Sequence, residues 1–398
     1  MVKLAKRVDE LVPSLTRKLF DMAKSSDGVF DLTLGDPDVL PPREARAAAC
    51  RAIEAGRTRY SHNAGVWEAR AAVAKFNAAF YGRKISPEEV ILTCGGMGAL
   101  HLLLFSLVQK GDEVIIPAPY WVNYENMTRL FGAKPVIVPT REEDNFALTA
   151  DALEKAITKR TRVLILNSPN NPSGRVIPGP MLDRIARLAV RHDLFVISDE
   201  VYRSLLYDGR RHESIWTRPG MRSRCAVVDS MSKRFSMTGY RLGMAIAPKD
   251  LVAKLAPLQE CVVSCAPLPS QYAALAGYSG KAKTAYLLKE FSARREAVLA
   301  EISKTPRLSL SAIDGTFYAF VNIAETGLKS MDFAVRLLER EHVAVIPGLA
   351  FGADYDNYIR IAFTVGVPRL RQALRRLRRF VLSLPASGQV KLIRRMSK

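Results

Sequence analysis

Short apolar runs recur along the first two thirds of the chain, each closed by a turn rich in Gly, Asn, Ser or Pro and followed by a stretch of helical period. The runs at 90–93, 113–117, 135–138, 162–167, 194–198, 225–229 and 242–247 are predicted strands. Between them, segments such as Leu182 to His192 repeat apolar residues at the spacing of one helix face. Nearly continuous apolar strands bury both faces, so the alternation from about Ala45 to Leu258 predicts an α/β fold. Its sheet is mostly parallel and lies between helices. From about Gln271 to Ser303 the pattern reads as one long helix into a smaller α/β unit. Strands are expected there at Gly315 to Val321 and Val343 to Pro347, with helices at Met331 to Glu341 and Arg369 to Ser383. At 398 residues the chain exceeds one typical core, which also argues for two domains.

Composition removes several classes. With 59 Lys and Arg against 39 Asp and Glu, the formal charge is +20. The excess is densest at Arg369 to Arg379 and in the tail Lys391 to Arg395. In the first cluster the arginines alternate with Leu370, Leu374, Leu377 and Val381, a basic amphipathic helix. No nucleic-acid reader motif accompanies it, so a solvated helix face is expected rather than a nucleic-acid or membrane surface. Cys50, Cys94, Cys225, Cys261 and Cys265 form no repeated metal pairs, and the last two are one helical turn apart, which fits packing better than a disulfide. The five histidines lack metal-ligand spacing, and no metal is expected. Residues 1–9 hold charges but no apolar leader core, and no run is long enough to span a bilayer. A reducing cytoplasm is the expected location.

Chemistry concentrates at the ends of the predicted strands. Ser230-Met231-Ser232-Lys233 and Gly239-Tyr240-Arg241-Leu242-Gly243 follow the strand at 225–229. A lysine at the mouth of a buried strand is partly desolvated, which favours its neutral amine and makes it a candidate Schiff-base nucleophile. Ser230, Ser232 and Arg241 are suited to a phosphate, and a lysine with a phosphate grip points to pyridoxal phosphate. Asp199 ends the strand at 194–198, where open α/β sheets place ligands, and is suited to face a pyridine nitrogen; taken alone it would cap the next helix. Tyr202, three residues on, and Asn171, in the turn Asn167-Ser168-Pro169-Asn170-Asn171-Pro172-Ser173-Gly174, are suited to the phenolic oxygen of the ring.

Together these segments resemble the class I/II aminotransferases, fold-type I pyridoxal phosphate enzymes related to aspartate aminotransferase, from about Val12 to about Val381. The Ser-x-Ser-Lys and Gly-x-Arg-x-Gly pattern matches at Ser230, Ser232, Lys233, Gly239, Arg241 and Gly243. The family's Asn-Pro turn matches with Ser168 in place of the first proline, which leaves Asn171 in register, and Asp36 replaces a usual Glu beside Gly35. The resemblance implies further roles. Amides of Gly96 and Met97, at a glycine turn opening a helix, hold the cofactor phosphate. Trp121 stacks on the pyridine, with Tyr120 as the competing choice. Tyr60 reaches the phosphate of the neighbouring subunit, so a homodimer is implied. Gly35 lies beside the substrate, and Arg360 pairs with its α-carboxylate through a planar fork. Residues 1–44 form an N-terminal arm and part of the small domain, 45–290 the large cofactor domain and 291–398 the rest of the small domain.

The implied activity is ping-pong transfer of an amino group between an L-amino acid and a 2-oxo acid, with Lys233, Asp199 and Tyr202 catalytic. A carbon-sulfur β-lyase or a cyclopropane-forming synthase would use the same residues, because both begin by removing the proton at Cα. An effector-binding non-enzyme would need an added DNA-binding domain, for which the chain has no length. Met97 stands where some aspartate- and prephenate-using relatives carry a lysine. That tilts the pocket toward neutral, apolar or aromatic donors, with Arg17 as a rival cation.

Overall fold

The computed structural model describes residues 6–9, 11, 15–24, 28–280, 282 and 284–385. The tail Lys391 to Arg395, and most of residues 1–9 in which a leader was sought, lie outside them. The chain enters through a two-residue strand, β1 (Phe30–Asp31), and then builds the large sheet from β2 (Val90–Cys94), β3 (Glu113–Ala118), β4 (Lys134–Pro139), β5 (Thr161–Asn167), β6 (Phe195–Asp199), β7 (Cys225–Ser230) and β8 (Leu242–Ile246). Their order across the sheet is β2-β8-β7-β6-β5-β3-β4. β8 pairs antiparallel with β2 and with β7, and every other pairing is parallel.

Both faces of this sheet are buried, as near-continuous apolar strands require. Successive side chains alternate between two cores. Val163 and Ile165 of β5 join one, whereas Leu164 and Leu166 join the other. The first core continues without a break into Phe317, Phe320, Ile359 and Phe363 of the smaller sheet.

That sheet contains β9 (Ser309–Leu310), β10 (Tyr318–Asn322), β12 (Ile346–Pro347) and β13 (Tyr358–Ala362), in the antiparallel order β12-β13-β10-β9. Between β10 and β12 lies β11 (Val343–Ala344), which pairs in parallel with β1 and so ties the N-terminal segment to this half of the molecule. The strand expected over Val343 to Pro347 is therefore two short strands in different sheets.

The long helix expected from Gln271 to Ser303 is also two, Leu268–Tyr278 and Ala285–Ile302. The break falls at Gly280, whose φ of 81° is the left-handed conformation that ends helices and that glycine adopts without strain. The basic helix spans Val367–Ser383 and buries Leu370, Leu374, Leu377 and Phe380. Its arginines are partly engaged. Arg369 donates to the Val29 carbonyl at 3.0 Å, Arg376 to that of Glu341 at 3.0 Å, and Arg379 pairs with the Glu341 carboxylate. All five cysteines are free, and no helix among the described residues is long and apolar enough to cross a membrane.

Candidate active site

A cavity of about 380 Å³ opens at the C-terminal edge of the large sheet, under the smaller one. Strand direction explains who reaches it. β2, β5, β6 and β7 deliver the Gly95 turn, Asn167, Asp199 and Ser230 to this edge by their ends. β8 runs the other way, so its beginning arrives there, with Leu242 opposite Cys94 and Gly243 opposite Ser230. Arg241, just before β8, is placed at the edge by that reversal, in a left-handed conformation with φ 49°. Gly243 is required by contact: a Cβ there would sit 2.3 Å from both the carbonyl carbon of Gly95 and the amide nitrogen of Gly96.

Of the residues singled out from sequence, Gly35, Gly96, Met97, Trp121, Asn171, Asp199, Tyr202, Ser230, Ser232, Lys233, Arg241 and Arg360 all line this one cavity. Tyr60 does not; it is 87% exposed on the surface of the single chain. Between the two aromatic choices, Trp121 lines the cavity whereas the Tyr120 hydroxyl is turned to Glu125. Arg17 lies on the helix Leu15–Lys24, paired with Asp21 at 2.9 Å, and is not among the lining residues.

Lys233 Nζ donates to the Gly35 carbonyl at 2.5 Å. Burial lowers its pKa, against the opposing pull of Tyr318 and Asp36 and with the help of Arg360 and Arg241. Asp199 is buried, accepts from the Tyr124 hydroxyl at 2.6 Å and from the Val201 amide at 3.3 Å, and is nonetheless lifted by burial to about 6. Arg360 comes from the middle of β13. Its Nη1 donates to Asn171 Oδ1 at 3.0 Å, its Nη2 to the Thr33 carbonyl, and its plane lies over Tyr318 at 4.3 Å. Its Nε is buried with no partner among the described residues. Ser230 Oγ lies 2.8 Å from Ser232 Oγ and accepts from the Ser232 amide at 3.0 Å.

Tyr124, Tyr318 and Thr238 also line the cavity and were not singled out from sequence. Tyr124 sits one turn beyond Trp121, and that i, i+3 spacing is the signal that would have paired them. Tyr318 opens β10 and meets the Tyr202 hydroxyl at 3.2 Å. Thr238 donates to Asp36 Oδ1 at 2.5 Å and so ties the lysine loop to the N-terminal strap.

A half-buried amine, an anion-suited turn at a helix start and a guanidinium converging on one cavity is an arrangement for holding and deprotonating a small carboxylate-bearing amine. The family model described as aminotransferase class I and II matches residues 27–377. The chain belongs to this family. It is 36% identical over 379 residues to a putative aminotransferase, YugH, of Bacillus subtilis (strain 168), covering 95% of this chain and 98% of the relative. It is 36% identical over 380 residues to aromatic-amino-acid aminotransferase 2 of Thermococcus litoralis, covering 94% and 97%. Among solved structures, aspartate aminotransferase from Thermus thermophilus with maleate superposes with a TM-score of 0.90 at 34% identity, covering 95% of this chain and all of that one.

Class I and II aminotransferases generally depend on pyridoxal phosphate. The cavity of this aminotransferase suits that group on three observations. Asp199 is a buried carboxylate raised to about 6 with no cation beside it among the described residues, and a protonated ring nitrogen would supply one. The amides opening the helix Gly95–Leu107 have no partner within the helix and would meet an anion in the cavity with the dipole aligned. Lys233 has a lowered pKa and a carbonyl as its hydrogen-bond partner, so its amine is available to an aldehyde.

Proposed function

We propose that this aminotransferase binds pyridoxal phosphate in the cavity at Lys233 and acts as a homodimer on a neutral or aromatic amino acid and a 2-oxo acid. The observation that carries the reading is the convergence of Lys233, Asp199 and Arg360 on one 380 Å³ space. When bound, the cofactor supplies an electron sink for charge left at the substrate's Cα.

The chain's own residues do the rest. Ser230, Ser232, Arg241 and the amides of Gly96 and Met97 would hold the phosphate, and Trp121 would cover the ring. Asp199 would set its carboxylate against the ring nitrogen, and Asn171 and Tyr202 would address the phenolic oxygen. Arg360, held from behind by Thr33 and Asn171, presents its fork to the substrate α-carboxylate beside Gly35. Lys233 Nζ is placed to take the proton from the substrate's Cα as general base and, once protonated, to give it up again as general acid. Desolvation suits it to the first task, since a lowered pKa enlarges the neutral fraction of the amine. Two such half-reactions in turn give ping-pong kinetics.

Tyr60, Trp67, Ile53 and Leu40 are large apolar side chains exposed on the single chain, which supports a second copy covering them, with Tyr60 entering the partner's phosphate site. The division at about residues 44 and 290 leaves the seven-stranded sheet in one part and the four-stranded sheet in the other, with 290 falling within the helix Ala285–Ile302, and five free cysteines accord with a reducing cytoplasm.

Borohydride reduction of the enzyme followed by peptide mapping tests the reading. The label is expected on Lys233 and absent from Lys233→Ala; a label on another lysine overturns the assignment. A screen of amino donors against 2-oxoglutarate, pyruvate and oxaloacetate then identifies the substrate pair.

A further inference from the structure

Behind the cavity floor lies a buried polar network that the chemistry above does not use. Along β7, side chains alternate, so Asp229 points away from the face that Val228 and Ser230 share. There Asp229 Oδ2 meets Arg203 Nη2 at 2.6 Å, with both side chains almost wholly removed from solvent. Arg203 Nη2 also donates to Asn77 Oδ1 at 2.5 Å, and its Nη1 to the Tyr81 hydroxyl. Tyr81 in turn donates to Glu200 Oε2 at 2.8 Å, and Glu200 is held by Ser198, Ser214 and His212. The other oxygen of Asp229 faces the cavity turn: Oδ1 accepts the backbone amide of Ser230 at 2.7 Å. From Ser230 the chain of contacts passes at once to the amide and hydroxyl of Ser232.

A buried ion pair needs further hydrogen bonds to offset its desolvation, and an apolar pair of the same size would often serve stability as well. Here Arg203, itself held by Asn77 and Tyr81, grips one oxygen of the Asp229 carboxylate, and the other oxygen, through the Ser230 amide, orients the turn bearing the two cavity hydroxyls. We infer that Asp229 and Arg203 are positioning residues for anion binding: they set Ser230 and Ser232 for a phosphate group and so govern affinity for the phosphate-bearing form of the cofactor. The inference rests on the reading of the cavity as a pyridoxal phosphate site. It assigns the ion pair a task distinct from holding the fold.

The experiment compares dissociation constants of the stripped full-length enzyme for pyridoxal phosphate and for pyridoxal, which lacks the phosphate, by absorbance titration. Asp229→Asn keeps the shape and an oxygen for the Ser230 amide but removes the charge that orients it. It is expected to weaken pyridoxal phosphate by about tenfold, the scale of one misdirected hydrogen bond, with pyridoxal affinity unchanged. An equal loss for both ligands, or none, overturns the inference. Should Asp229→Asn fail to fold, Tyr81→Phe takes one partner from Arg203 and is held to the same ratio. Ser230→Ala separates the two readings. A phosphate-selective loss in Ser230→Ala without one in Asp229→Asn refutes the positioning role alone. No selective loss in Ser230→Ala removes the phosphate site itself, and the inference with it.

Discussion

Tyr124 gives its hydroxyl hydrogen to Asp199 Oδ2 across 2.6 Å, joining the helix Asn123–Leu130 to the end of β6 at the floor of the cavity. Burial pushes the tyrosine's own pKa well up, so at working pH it is always a donor and always favours the ionised carboxylate. Tyr124→Phe removes the stronger of the two donors to Asp199. The acid limb of the kcat/KM profile should then move up by about one pH unit, the worth of one hydrogen bond to a charge. A full pH profile of the variant checks this; an unmoved limb would leave Tyr124 a packing residue.

The cofactor-free protein should be penalised by Asp199 at neutral pH. Burial raises the carboxyl from its usual value of 3.8 to about 6, so the folded state holds this proton more tightly than the unfolded chain does. The stability so gained is fully present below about pH 4 and is lost as pH rises through about 6, amounting to about 3 kcal/mol for a shift of this size. Asp199→Asn carries no such titration. Stripped of cofactor, it should therefore melt above the wild type at pH 7.5, with the difference shrinking toward pH 4, while its kcat collapses. Melting temperatures of both proteins across that range, measured without cofactor, decide the matter.

What the sequence made legible follows from which signals are local. Val163 to Leu166 announces a strand because each residue is apolar, and it must be so because both faces are buried. Asp199, Asn171 and Lys233 are legible because each stands at the end of such a strand or within the few residues after it, where a parallel sheet collects its ligands. Direction is not local. The apolar run of β8 reads the same either way, so nothing in it showed that the strand is antiparallel and that this is how Arg241 reaches the edge. Tyr124 and Tyr318 escaped because a buried aromatic on a helix or strand reads as core, and only the packing of two sheets turns their hydroxyls into the cavity. Gly280 was overlooked for the opposite reason: a lone glycine in a helical pattern is common, and its left-handed φ is a property of the folded chain.

Gly35 should tolerate no side chain. A Cβ there would lie 2.0 Å from the Tyr318 hydroxyl and 2.8 Å from Phe317, while the Gly35 carbonyl holds Lys233. Tyr318 lies against Arg360 and meets Tyr202, so pushing it away disturbs the carboxylate fork directly. With overpacking worth about 1–3 kcal/mol, Gly35→Ala should raise KM for the amino substrate about tenfold or more, with only a few degrees lost in Tm. Steady-state kinetics beside a melting curve tests this; a lower Tm with unchanged KM would place the strain away from substrate.

Specificity should turn on Met97, which lines the cavity with Leu34, Leu100 and Trp121 and whose sulfur lies 3.8 Å from Asn123 Nδ2. A second carboxylate entering beside these groups would lose its solvation without gaining a counter-charge, which costs binding in the transition state as well as the ground state. A neutral or aromatic donor should accordingly exceed aspartate in kcat/KM. Met97→Lys should move that ratio toward aspartate by about tenfold or more, the worth of a hydrogen bond between opposite charges. Arg17 is the rival cation, but it pairs with Asp21 on its own helix and lies over Phe20 at 5.1 Å, so Arg17→Ala should leave the ratio where it was. Competition assays with paired donors give the ratio in each protein. Wild type preferring aspartate severalfold, with that preference lost in Arg17→Ala, would move the determinant from the Met97 wall to the N-terminal helix.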